Sequence, residues 1–395
     1  MKRIPSTPRA DWQATAEQLG FAFHTFDGEP YWDESAYYRF SLRQIEDDLE
    51  DPTQELHELC MALVAEVVDS EELLERLAIP AAFHELIRQS WKQGDPHLYG
   101  RMDLCYDGTG PAKLLETNYD TPTSLYEASF FQYVWLEQQM QRGQLPAGCD
   151  QFNSIEDKLL QAFVQGGFKS PMHFASVRDS LEDRGTVEYL RDIARQAGLG
   201  TRLLDIEDIG LNAGGRFVDL LGTPIDSLFK LYPWEHLFNE AFGPAIAGSR
   251  TQFVEPPWKA ILSNKGALAL LWERHAGHPN LLPAFIDDDP AASLGPGWVR
   301  KPFFSREGAN VEICTEGGEH LIEAGPYGGG PCIRQQFHPL PVFAGNHTVI
   351  GSWVIGDQPA GIGIREDNSP ITKDSSRFLP LSLIHISEPT RLRRI

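Results

Sequence analysis

Residues 98–119 read LYGRMDLCYDGTGPAKLLETNY, two largely apolar runs on either side of Asp107-Gly108-Thr109-Gly110. Asp-Gly followed by a second glycine between such runs is a hairpin signal. Residues 98–106 and 112–119 are therefore expected to form paired antiparallel strands. Side chains two apart on a strand share a face. With a short turn over 108–111, Asp103 falls opposite Glu116 and Arg101 opposite Asn118, while Met102 and Thr117 turn to the other side. Asp103, Glu116 and Asn118 are oxygen donors of the kind Mg²⁺ prefers, and a guanidinium beside them suits a phosphate or another oxyanion. The same four residues also describe a solvated edge hairpin with cross-strand ion pairs, and the spacing alone leaves both readings open.

Outward from the hairpin, the two sides differ in texture. The first hundred residues read mainly helical, with Leu56, Cys60, Leu63, Val64 and Val67 at helical spacing. After the hairpin, Ser124-Leu-Tyr-Glu127 has the form of a capping box opening an apolar helix that runs past Trp135. The middle alternates: a strand over 173–177, a helix over 182–196, and a strand over 201–206, the rhythm of an α/β protein. The last third shifts to short strands at 297–301, 333–337, 348–355 and 360–365. A glycine-rich stretch, GPYGGG (325–330), falls among them and is expected to be a mobile loop. No internal repeat is visible.

Phosphate-binding chemistry is suggested at two places in this last third. Lys265 ends WKAILSNK (258–265) just before an apolar helix over 267–272, where a cation and free backbone N–H groups suit phosphate. Lys301 ends a strand and leads into FFSREGAN (303–310), a small-residue turn able to fold over a triphosphate. Neither GxxxxGK[ST] nor GxGxxG occurs, which excludes P-loop and Rossmann sites. Gln335-Gln336-Phe337 has the look of a nucleotide-edge strand, or of an ordinary sheet strand. Arg365 in GIGIRED (361–367) fits a phosphate contact about as well as a structural ion pair.

Composition bounds the partners. The chain has 395 residues, with 34 basic and 56 acidic side chains for a net charge of -22. That balance argues against nucleic acid and anionic membrane, for which lysine and arginine supply the binding energy. With 42% hydrophobic residues it is long enough to bury a large core. Five scattered cysteines without a CxxC pair argue against a disulfide framework and a cysteine zinc site, and fit a reducing compartment. No signal-peptide h-region or apolar span is read, so a cytoplasmic location is expected. Residues 381–395, LSLIHISEPTRLRRI, are basic on an acidic protein and are expected to be a foreign or frame-shifted tail.

Eight segments in order then carry a resemblance: GRMD, KLLETNYDTPTSLYEA, DSLEDRG, LFKLYPWE, ILSNKGAL, VRKPFFSREGAN, RQQFHPLP and GIGIRED. Over 1–380 the chain resembles the ligase domain of the glutathionylspermidine synthetase family, and most of all its short stand-alone acid–amine ligase members. The resemblance implies an α/β (α+β) ATP-grasp-like fold with mixed sheets, flanking helices and a pre-ATP-grasp-like subdomain. It implies a helical part over about 1–97, a metal hairpin and substrate part over 98–250, and an ATP-binding part over 251–380. It also implies ATP and Mg²⁺ as cofactors. By resemblance Asp103, Glu116 and Asn118 are the Mg²⁺ ligands, and Arg101 stabilises the transferred phosphoryl group. Lys265, Lys301, Arg306, Gln335, Gln336 and Arg365 line the nucleotide site. Thr121 and Thr123 stand where family members place small residues near the peptide substrate.

Two features depart from the bifunctional synthetases. No amidase domain is expected, and so no amide hydrolysis. Glu182-Asp183 stands where those enzymes carry Glu-Glu; it would attract a cationic amine, or merely open a helix whose dipole favours acids. The activity implied is ATP-dependent ligation of a small-molecule acid to an amine, with polyamine as the candidate class, through an acyl phosphate. Lys230 would then hold the acid, or form a strand-end salt bridge. The alternative from another class is a non-catalytic ATP- or polyamine-binding module. A metal-dependent hydrolase is disfavoured because HExxH, GxSxG and a Cys–His context are lacking. The acid, the amine and the oligomeric state are not legible.

Overall fold

The hairpin forms in the expected register. In the computed structural model, which describes residues 1–26, 28–287, 289 and 294–384, Tyr99–Cys105 pairs antiparallel with Lys113–Asn118, Asp103 opposite Glu116 and Arg101 opposite Asn118. The turn depends on glycine: Gly108 and Gly110 have φ of 99° and 69°, in the left-handed region. A Cβ on Gly108 would also stand 2.5 Å from the amino nitrogen of Met1.

The other strands of this sheet come from the far end of the chain. Its order is Arg377–Leu379, Gln358–Asp367, Asn346–Ile355, Tyr99–Cys105, Lys113–Asn118, antiparallel throughout. The three stretches read along the sequence therefore do not map onto three sheets. The middle stretch contributes Met172–Ser176, Thr201–Asp205 and Ser227–Leu231 to a parallel four-stranded sheet completed by Gln252–Val254. Helix Leu181–Gln196 links its first two strands, with the Ser180 hydroxyl accepting the Asp183 N–H as N-cap. The last third builds a five-stranded antiparallel sheet in the order Ala284–Ile286, Cys332–Gln336, Trp298–Pro302, Glu312–Cys314, His320–Ile322. This is the mixed α/β, ATP-grasp-like architecture.

Aromatic packing locks the hairpin sheet to the parallel sheet. The ring of Tyr99 stacks between Trp353, 6.0 Å away, and Phe229, 6.1 Å away. The buried Glu255 carboxylate accepts the backbone N–H of Leu98 at 3.0 Å and of Tyr99 at 3.2 Å, fixing where the first hairpin strand begins. Helix Asp51–Val67 buries Leu56, Cys60, Leu63, Val64 and Val67, as their spacing requires.

Four local expectations are revised. The first hundred residues also contain strands Lys2–Pro5 and Ala36–Ser41. No capping box forms at 124–127: Ser124 has φ of 67°, and its hydroxyl and the Glu127 carboxylate both meet the Tyr31 hydroxyl instead. The glycine-rich stretch is exposed as a loop should be, but it is anchored at one point, the Tyr327 N–H donating to Asn310 Oδ1 at 2.7 Å. The assumed tail boundary falls inside packed chain, because Leu381–Ile384 is a strand parallel to Ala36–Ser41 with Leu381 and Leu383 buried. The rest of that stretch, 385–395, lies outside the described residues. Among the described residues no helix is long and apolar enough to cross a membrane.

Candidate active site

The hairpin face opens into a cleft of about 1270 Å³, its mouth included, between the antiparallel sheets and the ends of the parallel sheet. Arg101 lies flat across its own sheet, Nε donating to Asp103 Oδ1 at 2.7 Å and a terminal nitrogen to Oδ2 at 3.2 Å. Glycine at 351, opposite Asp103, makes this possible, since a Cβ there would sit 2.9 Å from Cδ of Arg101. Arg365, two strands away, reaches the same carboxylate at 2.9 Å. One buried aspartate thus orients two guanidinium groups.

The two lysines enter from the other wall. Lys265 directly precedes helix Gly266–Arg274; its Nζ donates to Ser305 O at 2.5 Å and lies 3.3 Å from Glu116 Oε2. Lys301, on Trp298–Pro302, donates to Leu115 O at 2.8 Å and to Gln335 Oε1 at 2.9 Å. Burial lowers the Lys301 ammonium to about 8; Lys265 adds to the fall and Glu116 opposes it. For Glu116 burial is the largest influence and pushes upward. The surrounding Lys265, Lys301, Arg101 and Arg365 outweigh it and hold the carboxyl at about 2. Around two carboxylates, then, stand four cations. Beside them Val299, Val311, Ile313, Phe337, Leu340 and Val349 form an apolar wall.

The cleft also gathers further acids. Glu307 and Asp374 line it, and Glu182 and Asp183 adjoin them from the N-terminus of helix Leu181–Gln196. Burial, then the neighbouring Glu127, Asp374, Asp183 and Glu307, pushes the Glu182 carboxyl well up. Asp183 is raised to about 6, by burial first and then Asp374, against a lowering pull from Arg306. Arg306 pairs with Glu235 at 2.5 Å, joining the 303–310 turn to the parallel-sheet side.

Ten of the residues singled out in the sequence, Arg101, Asp103, Glu116, Asn118, Thr121, Thr123, Lys265, Lys301, Arg306 and Arg365, line one cleft; Glu182, Asp183 and Gln335 adjoin it, and Gln336 and Lys230 are engaged elsewhere. Gln336 faces away from Gln335, holding the 295–297 turn through Gly295 N at 2.8 Å and Gly297 O at 2.9 Å. Lys230 is fully buried against Asp120 at 2.6 Å, with Tyr232 O at 2.9 Å, so the salt-bridge reading describes it and its charge is not available to an acid substrate. Thr121 lines the cleft with its hydroxyl buried and unpartnered, and its N–H donates to Asn118 Oδ1 at 3.2 Å. Glu307, Asp374 and Glu127 were missed. The first two lie in loops without a spacing pattern, and Glu127 was read as a helix cap.

Among the described residues no three His, Cys, Asp or Glu side chains group to hold a metal unaided. Asp103, Glu116 and Asn118 nonetheless bring oxygen donors to one face; Arg101 and Arg365 hold the Asp103 oxygens and the Thr121 N–H holds Asn118 Oδ1, so a bound cation would take the place of those N–H donors. The oxygen set fits Mg²⁺, which commonly takes one or two carboxylates and completes its shell with water and substrate phosphates.

The cleft lies between the hairpin sheet and the sheet that carries Lys301, with Lys265 at the start of a helix beside it, in a mixed α/β fold of the ATP-grasp-like kind. The chain belongs to the glutathionylspermidine synthase preATP-grasp family, whose model matches residues 3–384. It is 39% identical over 401 residues to a Haemophilus influenzae protein named "Putative acid--amine ligase", covering 96% of this chain and 99% of that one. It is 29% identical to trypanothione synthetase of Crithidia fasciculata, covering 83% of this chain and 54% of that protein. With the bifunctional glutathionylspermidine synthetase/amidase of Escherichia coli it shares 25% identity, over 94% of this chain and 63% of the relative. A solved glutathione synthetase-like effector from Globodera pallida superposes with a TM-score of 0.53 at 12% identity, covering 95% of this chain and 96% of the other; that likeness concerns the fold.

Proposed function

We propose that the protein is an ATP-dependent carboxylate–amine ligase that joins a small acid to a cationic amine of polyamine type through an acyl phosphate. Family membership supports the ligase class. The observation that carries the finer reading is the charge gathered in and beside one cleft: Arg101, Arg365, Lys265 and Lys301 around Asp103 and Glu116, and Glu307 and Asp374 with the adjoining Glu182 and Asp183. On a chain of net charge -22, four cations around two carboxylates are a place for a polyanion.

In this reading the apolar wall takes the purine, while Lys265 and Lys301 hold the phosphates. Arg101 and Arg365, preoriented by Asp103, neutralise the phosphoryl group in flight to the acid. Mg²⁺, held by Asp103, Glu116 and Asn118, would supply further charge neutralisation at the phosphates. The Thr121 hydroxyl offers a hydrogen bond to the acid. The acidic cluster binds the ammonium and places its nitrogen for attack, so catalysis is largely positioning.

The test is an untargeted one. Protein, ATP and Mg²⁺ are incubated with a metabolite extract, and products are followed by intact mass. A new species heavier than an amine by an acyl group, with stoichiometric ADP and phosphate, is the expected result. Nucleotide binding with no such product would instead identify a non-catalytic binding module.

A further inference from the structure

Glu127 is fully buried in the helical turn that follows the hairpin. One oxygen accepts the Tyr31 hydroxyl at 2.6 Å, and Tyr31 is in turn 3.0 Å from the Ser124 hydroxyl. The other oxygen, Oε2, is buried without a hydrogen-bond partner among the described residues. A carboxylate left so is costly, so a ligand-dependent partner is the physical expectation. The groups that face it come from four directions: Tyr31 from the N-terminal segment, Arg101 from the hairpin, Arg365 from the C-terminal strand, and Glu182 from helix Leu181–Gln196. Behind Glu182 stand Asp183, Glu307 and Asp374. Glu127 is thus within electrostatic reach of Arg101 and Arg365 on the hairpin sheet and of Glu182 on the helix. Burial lifts it to about 7, although Tyr31, Arg101 and Arg365 pull it down.

We propose that Glu127, anchored by Tyr31 through one oxygen, uses the other to accept the proton of the incoming ammonium. The inference rests on the ligase reading above and assigns a residue to its second half. The ammonium transfers one proton to Oε2, leaving a neutral amine and a protonated Glu127. The amine lone pair attacks the acyl carbon, the C–N bond forms and the C–O bond to phosphate breaks. The second nitrogen proton leaves with the phosphate, and Glu127 returns its own to solvent when the amide departs. Acyl phosphate formation requires no such step.

Hydroxylamine separates the two halves, because it is largely uncharged at neutral pH and captures acyl phosphates without a base. Wild type and Glu127→Gln are compared, with the acid and amine found by the product search, for hydroxamate and for amide formation. The expected result is hydroxamate within about twofold of wild type and amide formation lower by ~10²-fold, the usual size of a lost general base. In wild type, kcat for amide formation at saturating amine should rise through neutral pH, and Glu127→Gln should lose that limb. Tyr31→Phe keeps the carboxyl but removes a donor to its charged form, so the limb should move to higher pH. Equal amide formation in Glu127→Gln and wild type overturns the proposal. So does a parallel loss of hydroxamate, which makes Glu127 structural. Absence of hydroxamate in wild type overturns the ligase reading itself.

Discussion

If nucleotide phosphates sit at the buried Lys301 ammonium, as proposed above, their binding is a proton-linked event. Its lowering from 10.5 to about 8 corresponds to roughly 3 kcal/mol held against the charged form in the free protein. The sign is set by the unfolded chain, which keeps lysine protonated to higher pH. Between the two values the unfolded state binds more protons, so this group's contribution to stability rises with pH across that window and is least favourable below it. A triphosphate beside Lys301 and Lys265 would restore the ammonium. At about pH 9 the free site is mostly neutral and the bound site charged, so nucleotide binding should take up about 0.9 proton, and close to none at about pH 6.5. Titration calorimetry in two buffers of different ionisation enthalpy reads this directly. In Lys301→Met the uptake should vanish and nucleotide should bind ~10–100-fold more weakly, one charge-assisted hydrogen bond being lost. Stability without nucleotide should change little, because relief of the buried charge is offset by stranding Leu115 O and Gln335 Oε1. Uptake that persists in Lys301→Met, or is absent from wild type, would refute the placement of phosphate at this lysine.

Asp103→Asn removes the carboxylate that orients Arg101 and Arg365; ligation should fall ~10²–10³-fold, and chemical denaturation should show a loss of about 3–5 kcal/mol from two uncompensated guanidinium groups. Gly351→Ala should drive Arg101 off its bed, the new Cβ lying 2.9 Å from Cδ, so that acyl phosphate trapping by hydroxylamine falls while amine binding measured by calorimetry does not. Lys230→Met should cost about 3–5 kcal/mol by leaving Asp120 buried and unpaired, and adding Asp120→Asn should recover much of that loss in the same denaturation assay.

The hairpin register was legible because a period of two and a short turn leave one arrangement in which Asp103 meets Glu116. Lys265 and Lys301 were legible as element ends with no local partner of their own. Lys230 was not: a lysine at a strand end reads the same whether its partner is a substrate or Asp120, 110 residues away. The acidic cluster was half visible, since Glu182 and Asp183 are adjacent in sequence, whereas Glu127, Glu307 and Asp374 join them only through the fold. Glu127 shows why local patterns mislead here. Ser-x-x-Glu ahead of an apolar run is a capping box by spacing, yet the φ of 67° at Ser124 turns both side chains towards Tyr31.

Charge in this protein is better understood by where it lies than by its sum. The acidic excess predicts repulsion of ATP at long range, and binding therefore requires a local reversal of potential. The sheet supplies it by crossing elements far apart in sequence: Arg365 and Asp103 are 262 residues apart, and Lys265 meets Glu116 from a separate wall. Only when hairpin, C-terminal strands and lysine-bearing segments have assembled do four cations share two carboxylates. The anion site is thus a property of the folded chain alone. The acidic cluster differs, because its excess charge is relieved in two ways, by protonation or by an ammonium ion. Raised carboxyls at Glu182 and Asp183 mean that amine and protons compete for the same oxygens. By linkage, amine affinity must therefore rise with pH through the neutral range, opposite in sign to the effect of alkaline pH at Lys301. On the proposed reading, amine binding at Glu182 and Asp183 and phosphate binding at Lys301 should respond to pH in opposite directions, leaving a window near neutrality in which both are favourable.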